Sequence, residues 1–143
     1  MGELVQFHAE NKFLLMAYSQ KGLSEMGRIV ANHTKHKTEK VFELYQRRLF
    51  EAFRRQPKYT SNLNVIMHAL GYFSKNIMKD ERRFFLNSLE EYKRGQAPLS
   101  VPLHLLRSYI VRFRINYLSQ QTFFHPFPFD LLDIADSGKG RLL

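Results

Sequence analysis

The side chains of this sequence that could do chemistry are imidazoles, amides, phenols and cations set at helical spacing. Along NLNVIMHALGYFSK, residues 62 to 75, Asn64, His68, Tyr72 and Lys75 recur at steps of four, four and three. At about 100° per residue they share one helix face, opposite Leu63, Ile66, Leu70, Phe73 and Ile77. Such a stripe is either the wet side of an amphipathic helix or a surface that offers an imidazole, a phenol and an ammonium to a ligand. Gly71, inside the stripe, costs about 1 kcal/mol against alanine in a helix interior, which points to something approaching the backbone closely. Farther upstream, His8 and Asn11 fall within the apolar arc of Leu4, Phe7, Leu14, Leu15 and Tyr18, with Lys12 at its edge. A histidine so placed is a hydrogen-bonded core residue or part of a polar pocket between helices.

Positive charge is the second theme. The 22 Lys and Arg exceed the 13 Asp and Glu, giving net +9, which favours an acidic partner such as nucleic acid through long-range attraction. Arg47 and Arg48 are followed seven residues later by Arg54 and Arg55, with Glu43 and Glu51 one turn away. That pattern makes either a salt-bridged solvent face or a surface that tracks phosphates. His104, Arg107 and Arg114 lie outside the Leu103, Leu106, Ile110 and Phe113 face of a later helix, and Arg112 near its border. In TFFHPFPF four phenylalanines stand within seven residues, as a strap over the core or as platforms for unstacked bases.

Enzyme chemistry has little to work with. His8, His68 and Lys12 could serve acid–base steps, but there is no nucleophile motif, Gly-rich phosphate loop or HExxH. Cysteine is absent, which excludes disulfides, thiolate nucleophiles and cysteine-ligated zinc or iron–sulfur sites in this chain. Asp130, Asp133 and Asp136 have a spacing that a metal could use, yet they adjoin a polar tail and read better as solvated. No cofactor and no metal are expected.

The elements that position these groups are helices. At 143 residues the chain suits one domain, and its apolar runs are far shorter than the roughly 20 residues that span a bilayer. No membrane association is expected. The start, MGELVQFHAENK, has neither a basic beginning nor a small-residue cleavage site, so a soluble, cytoplasmic protein is expected. Periodicity near 3.6 with Gly and Pro between segments predicts an all-α fold, a single compact bundle of about six to seven helices. They are expected at about 3–18, 24–32 from Ser24 as cap, 38–55 from Thr38, 62–77, 81–94 from Asp80, 103–114, and a short one in NYLSQQTFF. The domain is expected over residues 1–135, with ADSGKGRLL, 135–143, reading as a flexible tail from 136 on.

Five ordered motifs, FHAENKFLLMAYS, MGRIVAN, NVIMHALGYFSK, YKRGQAPLSVPLHLL and YLSQQTFFHPFP, resemble the YbgA family, a bacterial domain of unknown function. The resemblance runs from about Leu4 to Pro128. It implies a helical domain that occurs alone or fused to a desulfidase domain, whose iron–sulfur cluster removes sulfur from thiolated uracil, including 4-thiouridine in tRNA. In such fusions the helical part holds the RNA. The polar residues carried over on matching motifs are His8, Lys12, Arg28, Asn64, His68, Tyr72, Lys75, Arg94 and Gln121. Asn62, Ser108 and Val111 depart from the His, His and Arg expected of relatives. Joined with Arg47, Arg54 and Arg107, this set leads us to expect a non-catalytic RNA-binding module, with tRNA among its targets and a separately encoded desulfidase among its partners. A protein-interaction or homodimerisation module is the alternative, and an enzyme built on His8, His68 and Lys12 the third.

Overall fold

A computed structural model describes residues 1–125. Phe127, Phe129, the Asp130, Asp133 and Asp136 run and the expected tail lie outside the described residues. Within them the chain forms eight α-helices and two 3-10 turns with no strand, as the periodicity predicts. In order these are α1 (Gly2–Glu10), α2 (Lys12–Tyr18), α3 (Gln20–Ala31), α4 (Thr38–Ala52), α5 (Tyr59–Leu70), α6 (Lys79–Lys93), α7 (Ser100–Phe113) and α8 (Asn116–Ser119). The 3-10 turns are His33–Lys35 and Thr122–Phe124.

The expected first helix is two helices, because Asn11 leaves helical geometry at φ −105° and ψ 8°. A continuous helix would join the Phe13 N–H to the Ala9 carbonyl. Here the Gln121 amide is inserted between them: its Oε1 accepts from Phe13 N at 3.2 Å and its Nε2 donates to Ala9 O at 2.8 Å. Beside it Asn11 Nδ2 donates to Phe7 O at 2.8 Å and Thr122 Oγ1 donates to Asn11 Oδ1 at 2.6 Å. The break is thus hydrogen-bonded from a segment more than a hundred residues away, which gives the Phe13 N–H and the Ala9 carbonyl the partners that an unbroken helix would have supplied.

Splitting the helix lets α2 turn into the centre. Its sequence KFLLMAY is apolar nearly all round, the pattern of a buried helix. Phe13 and Ala17 enter one core cluster with Val65, Ile66, Leu70, Phe73, Phe85, Leu106, Phe123 and Phe124. Leu15, on the other side, enters a second cluster with Leu4, Met26, Val41, Tyr45 and Ala52. Buried Phe123 and Phe124 make the described part of TFFHPFPF a strap over the core.

Several caps differ from expectation for local reasons. α3 starts at Ser19 rather than Ser24, since Ser19 Oγ accepts from Gly22 N at 2.9 Å. Its early start also puts Gly22 against α4, where an added Cβ would lie 3.1 Å from Ala52 Cβ. Lys37, not Thr38, occupies the cap position of α4, with no side-chain cap bond there. α6 is capped at Met78, whose N–H donates to Glu81 Oε1 at 3.2 Å, while Asp80 pairs with Arg83. α5 ends at Leu70 instead of Ile77; residues 71–77 follow as turns that still bury Phe73 and Ile77. Gly71 sits at that helix end with φ −57°, and a Cβ added there would meet only the His68 carbonyl of its own turn, 3.2 Å away. Among the described residues, the expected close approach to Gly71 is therefore absent. No helix among the described residues is long and apolar enough to cross a membrane.

Candidate nucleic-acid interface

The opening stripe survives the early end of α5 in altered form. Asn64 and His68 ride on the helix, Tyr72 and Lys75 on the turns after it, and all four are exposed. What gathers the rings is Phe13, buried beneath them from α2. Its centroid lies 5.6 Å from His68, 6.4 Å from Tyr72, 6.1 Å from Tyr117 and 6.0 Å from Phe124. Tyr72 and Tyr117 stack at 5.7 Å with planes 29° apart. Met67, His68, Gly71 and Tyr72 line a shallow cleft of about 500 Å³. Burial, and then the neighbouring Tyr72 hydroxyl, raise the Tyr117 phenol above its ordinary value. The result is a partly exposed set of ring faces and edges backed by a rigid aromatic floor, a geometry able to receive a flat group.

His8 is the buried alternative of the two expected. It is 6% exposed, and its Nδ1 lies 3.0 Å from the Tyr45 hydroxyl. That contact is one hydrogen bond, with the hydroxyl donating to Nδ1 in the Nε2–H tautomer and accepting from it in the Nδ1–H tautomer. Burial pushes the Tyr45 phenol up to about 12. Burial first, and the charge of Lys12 second, hold His8 below its ordinary 6.5. An imidazole that is neutral and already bonded is a structural group in the resting protein.

A family model described as "Protein of unknown function (DUF1722)" matches residues 12–128. The chain belongs to the DUF1722 family. Over 138 residues it is 28% identical to the uncharacterized protein YbgA of Escherichia coli (strain K12), covering 96% of this chain and 81% of that protein. The YbgA resemblance read from the five motifs is borne out. No solved structure matches the chain. Phe13, His68, Tyr72 and Tyr117 all lie inside the DUF1722 match, and His8 lies before it.

The cations of this DUF1722 chain are divided between ion pairs and open surface. Arg47 binds Glu43 at 2.9 Å, Arg48 binds Glu51 at 2.9 Å and Glu25 at 3.4 Å, and Arg94 binds Glu90 at 3.1 Å. Part of the α4 face is thus the salt-bridged solvent face anticipated from its sequence. Arg54, Lys12 and Lys75 are exposed with no ion pair among the described residues. Arg107 is half-buried, and its charge, after burial, helps lower the His125 imidazole. Arg28 opens into a different cleft, between α3 and α4. Gln121, 1% exposed, is fully engaged as the wedge at Asn11, so its place in the sequence motif has a structural cause. Asn62 is likewise buried and donates to the Tyr92 hydroxyl at 3.1 Å.

Among the described residues, His8, Arg28 and His68 keep separate company. His68 belongs with Tyr72 and Tyr117, Arg28 with the α3–α4 turn, and His8 with Tyr45. Tyr117 and Tyr45 escaped the sequence reading. Each is one tyrosine in a different helix, with no local spacing that links it to its partner.

The buried histidine has a pH consequence. The unfolded chain takes a proton on His8 near 6.5, whereas the folded chain takes it only at lower pH. Stability present above about 6.5 is then lost as pH falls toward the lowered value, and His125 adds a loss of the same sign. Urea melts at pH 7.5 and 5.5 should show this decline, and His8→Gln should reduce the difference between the two. An unchanged difference in His8→Gln would assign the decline to other groups.

Proposed function

We propose that this domain is a non-catalytic RNA-binding module, with tRNA as its target class. The observation that carries the reading is the aromatic face of His68, Tyr72 and Tyr117, held on buried Phe13 in a chain of net +9. Exposed bases stack on such rings, while Lys12, Lys75 and Arg54 supply exposed positive charge for backbone phosphates. Ring contact gives preference for unstacked nucleotides; charge gives salt-dependent affinity. The chain has no cysteine to hold an iron–sulfur cluster, so thiolated-uridine chemistry would belong to a separate desulfidase working in the cytoplasm.

Titration of labelled tRNA at several salt concentrations tests this. The logarithmic salt slope should be about −0.7 for each single-strand phosphate contacted. Arg54→Glu should weaken binding more than Arg47→Glu, because Glu43 already engages Arg47. His68→Ala with Tyr72→Ala should weaken binding at an unchanged slope, since rings release no counterions. Absence of saturable binding at low salt would discard the RNA role. A protein-interaction module is the second reading, favoured by Phe50 and Phe84, which are 63% and 65% exposed. It gains if sedimentation shows a dimer that Phe50→Ser or Phe84→Ser dissociates.

A further inference from the structure

The HTKHK turn between α3 and α4 lies away from the aromatic face, yet it helps build a cleft of its own. Arg28, Ile29 and Asn32 from α3 and its C-cap, Lys35 and His36 from the turn, and Leu44 from α4 line a volume of about 290 Å³. Among the described residues, no Asp or Glu forms any part of that lining. Arg28, Lys35 and His36 are all exposed and have no ion pair among the described residues.

Local chemistry keeps those charges available. The last carbonyls of α3 carry the negative end of its dipole and would otherwise draw cations inward. They are met by neighbouring groups instead: Asn32 Nδ2 donates to Arg28 O at 2.8 Å, and His33 Nδ1 lies 2.8 Å from Val30 O. A second basic groove, along Lys79, Arg82 and Arg83, differs on both counts. It is one face of α6, and Arg83 is already paired with Asp80. In the α3–α4 cleft, by contrast, the like charges of Arg28 and Lys35 come from separate elements, with no counter-charge in the lining among the described residues. An anion entering there relieves their mutual repulsion.

We propose that this cleft is a phosphate-binding subsite, in which the Arg28 guanidinium and Lys35 ammonium engage phosphate oxygens and His36 adds a further donor. Ile29 and Leu44 form an apolar wall against which the attached sugar packs. The identification of the phosphate as one from RNA rests on the RNA-binding function proposed above. The phosphate chemistry itself does not. Arg supplies a fork that fits two oxygens, and Lys a point charge, a division of labour suited to a tetrahedral dianion or diester.

The test compares Arg28→Glu/Lys35→Glu with Lys79→Glu/Arg82→Glu in the full chain, two variants with the same change in net charge. The cleft variant should lose about tenfold in tRNA affinity and about 0.7 in salt slope for each contact removed, and the α6 variant much less. Equal losses would overturn the cleft while leaving RNA binding in place. Both variants should melt with the unaltered protein, since all four side chains are exposed. If the unaltered chain binds no tRNA, the RNA reading fails, and inorganic phosphate then tests the cleft alone. Saturable amide shifts centred on Arg28, Lys35 and His36 would support it, and absent or uniform shifts would overturn it. Oligonucleotides with a 5′-phosphate or a 5′-hydroxyl identify the source: preference for the former means a terminal monoester, equal binding an internal diester.

Discussion

Gln121→Leu should destabilise the protein by about 2 to 6 kcal/mol in denaturant melts, the largest loss expected from any polar side chain among the described residues. The estimate is the cost of leaving two buried backbone groups, the Phe13 N–H and the Ala9 carbonyl, without the partners that Gln121 gives them, at about 1 to 3 kcal/mol each. Leucine fills a similar volume, so the loss measures the hydrogen bonds more than a cavity. Gln121→Glu makes a sharper comparison. A carboxylate can still accept from Phe13 N–H, but it faces the Ala9 carbonyl with an oxygen in place of a donor, and it is buried without a cation. It should be at least as harmful at neutral pH and recover as acid protonates it. A loss below about 1 kcal/mol in Gln121→Leu would mean that the Phe13 and Ala9 groups can close on each other as in an ordinary helix, making the break at Asn11 optional.

Phe13→Ala should cost about 3 to 5 kcal/mol, because the ring is 2% exposed and its removal opens a cavity where α2, α5 and α8 meet. It should also abolish the arrangement of His68, Tyr72 and Tyr117, whose rings rest against it. Tyr72→Ala is the informative contrast. Tyr72 is 44% exposed, and its stacked contact with Tyr117 is worth about 0.5 to 1.5 kcal/mol, so stability should fall by about 1 kcal/mol. Under the RNA reading both variants weaken tRNA binding, but only Phe13→Ala loses most of its stability. Equal denaturant midpoints for the two would show that Phe13 is not the floor of the face. Tyr72→Ala with undiminished tRNA affinity would move the interface elsewhere, toward the α3–α4 cleft.

The all-α class was legible from residue order because amphipathic periodicity is a local property. Leu63, Ile66 and Leu70 bury the side of α5 that the 3.6-residue repeat assigns to the core, and Asn64 and His68 face out. Pairing of Arg47 with Glu43 and Arg48 with Glu51 was equally local, one helical turn apart. The family was legible too, since ordered motifs are themselves sequence. Helix ends were less so. Ser24 and Asp80 are good capping residues in isolation, but Ser19 and Glu81 make the bonds, because the start of a helix depends on where the preceding segment enters. The break at Asn11 lay beyond any local rule: nothing between residues 3 and 18 announces a glutamine at 121 that will stand between Phe13 and Ala9. For the same reason one motif glutamine and one motif histidine, Gln121 and His8, are held by the fold, while Tyr117, a residue without helical spacing to the stripe, joins the exposed rings. The sequence by itself determined which faces are apolar, how much charge the chain carries and which chemistry it lacks. Only the tertiary structure decided which polar groups meet, because hydrogen bonds and ring contacts act over a few ångströms between segments that the chain places far apart.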